Sequence, residues 1–198
     1  MIQLHYMKVK ELDIILTVKE VIRNRRSIKL FNGEPVSKEA LLAIFDDAKW
    51  APNHGNRQPW RIVLATEDGL QRLNTIIRDV VVPNWEELSV EELAKKMVKF
   101  TTPGAVAFVI MPEDLRQKER LEDFAAASSF IQNIQLLAWD EGIGCCWKTP
   151  GWLEKPEFLK ALGLEAGERP IAMLQFGYFD TIPAEKPKKS IEEFVTFF

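Results

Sequence analysis

Cysteine and histidine are almost missing from this chain. Cys145 and Cys146 are adjacent and alone, and the two histidines, His5 and His54, stand far apart. An adjacent pair has neither the spacing of a metal or redox motif nor the numbers for a disulfide framework. A reduced, buried pair is therefore expected, and a structural zinc site is not. There is no Gly-x-Gly-x-x-Gly run, so a Rossmann-type nicotinamide site is not implied. Internal repeats and low-complexity segments are also missing. The apolar run at 12–19 is too short and too charged to span a membrane, and no signal-type cleavage site follows it. A cytoplasmic location without membrane attachment is expected. Charge of one sign is not in excess either: Lys+Arg 26 against Asp+Glu 29 gives a net −3. That balance argues against nucleic acid as a partner and leaves local basic spots to small anions.

What is present is a globular composition. With 198 residues, 46% of them hydrophobic, the chain can bury a sizeable core, and residues 1–198 are expected to form a single domain. Leu12, Ile15, Val18 and Ile22 keep helical spacing and predict a helix over 8–26. Ser37 reads as the N-cap of a second helix with Leu41, Leu42, Ile44 and Phe45 on its apolar side, closed by Pro52. Short strands are expected at 61–66, 105–111, 145–147 and 171–176. The 105–111 run is nearly all apolar, as in a strand covered on both faces. Helices are expected over 68–79, from the capping box Ser89–Glu92 to Phe100, over 116–141 with Gly142 as terminator, and over 156–162. The centre of the longest, 124–130, is rich in small residues and admits close approach by a second helix, from a partner subunit or from the same core. Helices interleaved with short strands indicate a mixed α/β or α+β domain around a central sheet. The tail, 180–198, carries Phe194, Val195, Phe197 and Phe198, which need cover. Docking on a second copy is the expected solution.

Two segments concentrate hydrogen-bond donors. Arg25-Arg26-Ser27 closes the first helix, and Ala51-Pro52-Asn53-His54-Gly55-Asn56-Arg57-Gln58-Pro59-Trp60 forms a loop leading into a strand. Such a pair suits a ligand that is anionic at one end and rich in hydrogen-bonding edges at the other, and flavin mononucleotide is one. Each feature also has a plainer reading. Arginines at a helix C-terminus complement its dipole, polar loop residues satisfy backbone groups, and lysine clusters are commonly solvated.

In order and spacing, four segments resemble those of the FMN-dependent nitroreductases, over nearly the whole chain. They are the helix ending in Arg25-Arg26-Ser27-Ile28-Lys29-Leu30-Phe31; the loop Ala51-Pro52 to Asn56-Arg57-Gln58-Pro59-Trp60; Gln132-Asn133-Ile134-Gln135-Leu136 leading to Gly142-Ile143-Gly144-Cys145-Cys146-Trp147; and Phe176-Gly177-Tyr178 with Lys186-Pro187-Lys188 beyond it. The short length and the closing 194–198 are similar to the minimal, YdjA-like group. The resemblance implies an α+β fold with a mostly antiparallel central sheet flanked by helices, in an intertwined homodimer that exchanges its C-terminal segment, 180–198.

It further implies FMN as cofactor and NADH or NADPH as reductant. Arg25 and Ser27 would lie at the phosphate and ribityl chain with Arg26 close by, and Lys29 at the pyrimidine edge. His54, Asn56 and Gln58 would lie along the flavin. Residues Trp147, Lys148 and Thr149 would sit over one face near N5, and Lys186 and Lys188 would flank the phosphate, with Lys189 a possible substitute for either. Trp147-Lys148-Thr149 departs from the acidic residue and glycine of larger family members, which leaves the shape of the substrate cavity open. Trp50 and Trp60 are expected to serve packing, with Trp50 near enough in sequence to touch the site. No residue is assigned as catalytic, because the cofactor would carry the chemistry: hydride from NAD(P)H through N5 to a nitroaromatic or quinone, by a ping-pong course. A specialised flavin reaction on the same fold, or a non-catalytic module for a phosphorylated metabolite, are the competing expectations.

Overall fold

The computed structural model describes residues 16–198. Its first helix, α1 (Val18–Asn24), starts where Thr17 caps it. The Thr17 hydroxyl accepts from the Glu20 N–H at 3.3 Å, and the Glu20 carboxylate accepts from the Thr17 N–H at 2.8 Å. This reciprocal cap ends the helix on its N-terminal side. The helix expected over 8–26 therefore does not run unbroken; its earlier part, with Leu12 and Ile15, lies outside the described residues. Helix α2 (Lys38–Ala48) opens as expected on Ser37, whose hydroxyl accepts from Ala40 N–H at 3.1 Å. It stops short of Pro52, because Trp50 N–H turns back to Asp47 C=O at 3.3 Å and tightens the last turn.

The remaining elements are β1 (Arg61–Ala65), α3 (Glu67–Val81), α4 (Val90–Thr101), β2 (Ala105–Pro112), α5 (Gln117–Asp140), β3 (Gly144–Lys148), α6 (Pro156–Ala161) and β4 (Glu168–Gly177). The four strands form one sheet in the order β1-β2-β4-β3, antiparallel at every pairing. The fold is thus α+β, with helices on both faces. Every residue of β2 except Pro112 is buried, as a strand sandwiched between helices requires. On one face Leu41, Ile44 and Phe45 of α2 and Phe130, Ile131 and Ile134 of α5 cover Ala107, Val109, Leu174 and Phe176. On the other, Leu73 and Ile77 of α3, Met97 and Phe100 of α4 and Phe158 of α6 cover Phe108, Ile110 and Met173. Ala126 and Ala127 meet the core of the same chain, whereas Leu121 and Phe124 on α5 are exposed. The small-residue helix therefore serves its own core on one side and is uncovered on another. Among the described residues no helix is long and apolar enough to cross a membrane.

The segment after α1 runs across one end of the sheet. Ser27 forms a parallel bridge with Cys145, Asn32 N–H donates to Tyr178 C=O at 3.0 Å, and Val36 N–H reaches Gly104 C=O at 3.4 Å. Its path requires a glycine at 104, where an added Cβ would stand 2.3 Å from the Glu34 carbonyl oxygen. Backbone on both sides cannot yield as a flexible side chain would. Gly104→Ala is expected to cost about 1–3 kcal/mol as overpacking. At roughly 2–4 °C per kcal/mol for a chain of this size, the melting temperature should fall by several degrees. An unchanged thermal melt would show that the crossing segment is not seated there.

Candidate cofactor site

The chain leaves α1 at Arg25 and passes along the edge of β3, the outermost strand. One guanidinium nitrogen of Arg25, Nη1, is buried and has no hydrogen-bond partner. Arg26 folds back instead: its Nη1 donates to the carbonyls of Arg23 at 2.7 Å and Arg25 at 3.1 Å, and its Nη2 lies 3.6 Å from Glu185. That ion pair brings the tail segment bearing Lys186 and Lys188 to the arginine segment. Both lysines are exposed, as is Ser27, whose backbone is tied to Cys145.

A second layer of charge lies along β3. Arg25, Lys29 and Lys148 all act electrostatically on the Cys146 thiol, whose pKa is nonetheless pushed up by burial. Burial holds the Lys148 ammonium below its ordinary pKa, and the charges of Lys99 and Lys29 lower it further, against an opposing pull from Cys146. Among the described residues, none of Arg25, Lys29, Lys99 or Lys148 forms an ion pair. Lys99 enters from α4 and is fixed by Gln175, whose Nε2 donates to the Lys99 carbonyl at 2.8 Å. Gln175 is buried, stands opposite Cys146 in the β3–β4 register, and keeps Oε1 without a partner. Arg25 and Lys148 are half-buried and Lys29 and Lys99 exposed; like charges gathered in this way repel one another, so the arrangement favours an anion between them.

The loop after α2 is built separately. A short 3-10 turn, His54–Asn56, carries Gly55 at φ 60°, Asn56 at φ 52°, and Gln58 follows at φ 46°. The Asn53 side chain accepts from Gln58 N–H at 2.9 Å, and Gln58 Nε2 donates to Asn56 Oδ1 at 3.2 Å. Arg57 Nη2 donates to Asp123 at 2.7 Å and lies 3.2 Å from Asp114. Trp60 serves packing as expected, stacked on Phe130 at 4.7 Å between centroids. Trp50 does not: it is 82% exposed, because α2 ends before it and the turn points it away from the core.

The residues singled out from sequence therefore fall into two groups. Arg25, Arg26, Ser27, Lys29 and Lys148 come together along β3, with the tail lysines close to Arg26. His54, Asn56 and Gln58 belong to a loop anchored on the N-terminal half of α5. Among the described residues no hydrogen bond or ion pair joins them to the cations. Trp147 and Thr149 line a cavity of about 490 Å³ with Phe124, Pro150 and Ile171, and the Trp147 Nε1 is buried without an acceptor. Lys99 was not legible from sequence: on a helix rich in lysine and glutamate it reads as one more solvated charge.

The donors present fit a flavin nucleotide. The partnerless Arg25 nitrogen and the tail lysines suit a phosphate carrying nearly two negative charges, and the lysines along β3 suit an electron-rich ring edge.

Comparison with known proteins gives the family. Residues 22–178 match the sequence model of the Nitroreductase family. YfhC of Bacillus subtilis, which carries the name NAD(P)H nitroreductase, is 37% identical over 89% of this chain and 91% of its own length. YdjA of Escherichia coli, similarly named, is 23% identical over 90% of the chain and 98% of its own. A crystal structure of a nitroreductase-like family protein from Bacillus cereus superposes with a TM-score of 0.82 at 36% identity, covering 93% of this chain and 97% of that one. The chain belongs to the nitroreductase family.

Proposed function

We propose that this chain is an NAD(P)H-dependent FMN oxidoreductase, one domain over residues 1–198, acting as a homodimer on electron-poor small molecules. The observation that carries the reading is the group of Arg25, Lys29, Lys99 and Lys148, none of which forms an ion pair among the described residues, beside a buried arginine nitrogen with no partner. Arg25, Lys186 and Lys188 hold the phosphate, with Arg26 steadying the tail through Glu185. Lys29, Lys99 and Lys148 place positive charge at the pyrimidine edge, where it stabilises negative charge better than water does. Residues 147–149 orient one face of the ring by their backbone. FMN held by these residues would supply the redox chemistry, hydride transfer through N5 between NAD(P)H and a nitroaromatic or quinone sharing one face.

Among the described residues no hydrogen bond or ion pair joins the loop with His54, Asn56 and Gln58 to the cations of its own chain, and a second copy supplies it. The exposed Leu121, Phe124 and C-terminal aromatic residues support such a dimer, in which the 180–198 arm lies on the partner. The reduced, buried cysteines fit a cytoplasmic setting.

Freshly purified protein is expected to be yellow, or to become so with added FMN. Its visible flavin bands should bleach under anaerobic NADH or NADPH and return on addition of a nitroaromatic or a quinone. Protein that stays colourless with excess FMN would replace this reading with a non-catalytic binder of a phosphorylated metabolite.

A further inference from the structure

Arg57 lies between the two amide side chains, Asn56 and Gln58, that the loop presents. Its guanidinium reaches 66 residues along the chain to Asp123 on α5, at 2.7 Å. Asp123 is only 2% exposed, and a carboxylate taken out of water on a helix needs a cationic partner. Asp114 approaches the same guanidinium at 3.2 Å while being held by Arg116, through that residue's backbone N–H at 2.9 Å and its Nη2 at 2.9 Å. Arg57 is thus clamped between two carboxylates fixed on or just before α5. The loop it anchors has unfavourable backbone angles at Asn56 and Gln58, a left-handed conformation that non-glycine residues adopt only when their surroundings enforce it. The loop's internal hydrogen bonds, Asn53 with Gln58 and Gln58 with Asn56, join its parts to one another and not to the scaffold. Among the described residues the side-chain attachments to the scaffold are Arg57 to the carboxylates, Asn53 Nδ2 to the Ala51 carbonyl at 3.2 Å and, two residues beyond Gln58, the stacking of Trp60 on Phe130.

We propose that Arg57 and Asp123, assisted by Asp114, are positioning residues that hold the loop of residues 53–58 in the shape that grips the flavin, without touching the flavin themselves. The inference rests on the flavin reading above and adds to it a determinant of cofactor affinity remote from the cofactor. Burial acts to raise the pKa of Asp123 and Arg57 opposes it, as expected of a buried carboxylate that depends on one cation. A displacement of about an ångström in a gripping loop is enough to loosen a ligand measurably.

The test compares the parent with Arg57→Gln, Arg57→Lys, Asp123→Asn and the double variant Arg57→Gln/Asp123→Asn. Hydrogen exchange is followed at backbone amides in flavin-stripped protein, and FMN dissociation constants are read from quenching of flavin fluorescence. Arg57→Gln and Asp123→Asn are each expected to speed exchange at the Arg57 and Gln58 amides by about tenfold, to leave the amides of β2 and β4 unchanged, and to weaken FMN binding about tenfold. The double variant should be no worse than the weaker single one, because both changes remove one interaction, and Arg57→Lys should recover part of the loss. Unchanged loop exchange and unchanged FMN affinity would overturn the proposal. So would faster exchange throughout the sheet, which marks a general loss of stability. A parent that takes up no FMN sinks the flavin reading itself, an outcome distinct from a parent and variants that bind FMN equally.

Discussion

Arg25→Ala protein should purify without flavin and rebind FMN with an affinity lower by about 30- to 100-fold, the loss of roughly 2–3 kcal/mol attached to a charge-assisted hydrogen bond to phosphate. The fold should survive. Arg25 holds the end of α1 through its backbone N–H, which donates to Val21 C=O at 2.9 Å and is retained in alanine. Its side chain contributes no ion pair among the described residues, and its Nη1 has no partner to lose. The melting temperature of flavin-free protein should therefore move little. Titration with FMN by fluorescence and a thermal melt of the flavin-free form separate these effects. Arg25→Lys should hold an intermediate position, keeping the charge but losing the planar fork. Equal flavin occupancy in Arg25→Ala and parent would remove phosphate binding from this residue.

Much of the fold could be read before it was seen, wherever a local rule acts alone. Ser37 and Ser89 cap their helices as the spacing of their neighbours dictates, and the apolar run at 105–111 is the fully buried β2. Gly142, at φ 72°, follows α5 as a left-handed terminator. The errors come from cases in which two rules compete. Helical spacing extends back through Leu12, but the Thr17–Glu20 box intervenes and wins. Pro52 forbids helix at its neighbour, yet the turn at Asp47–Trp50 ends α2 first. The site was legible only where it is contiguous in sequence. Arg25 to Lys29 is one segment, whereas Lys99 joins it through the crossing of α4 over the sheet and the hydrogen bond from Gln175, a long-range pairing with no local pattern. The Arg57–Asp123 pair is hidden for the same reason, and Asp123 in sequence is one acidic residue in a charged helix start.

Truncation before Phe194 should shift the protein from dimer towards monomer at micromolar concentration and strip it of flavin together with the dimer. Phe194, Val195, Phe197 and Phe198 are all exposed in the single chain. Burying such side chains contributes about 1.5–3 kcal/mol each when complete. Ordering the arm and the loss of rotational freedom offset much of that, so the net loss should amount to between one and three orders of magnitude in the dimer dissociation constant. Among the described residues the hydrophobic clusters hold nothing beyond Ile182, so none of them includes the truncated segment. Truncated protein should therefore keep its circular dichroism while its sedimentation coefficient falls on dilution. The flavin should leave in step, because the proposed site takes the cations along β3 from one chain and the loop at residues 53–58 from the other. Sedimentation and flavin occupancy measured on the same dilution series distinguish two cases. A monomer that keeps its flavin would place the whole site within one chain, and an unchanged dimer would move the subunit contact away from the tail to the exposed side of α5.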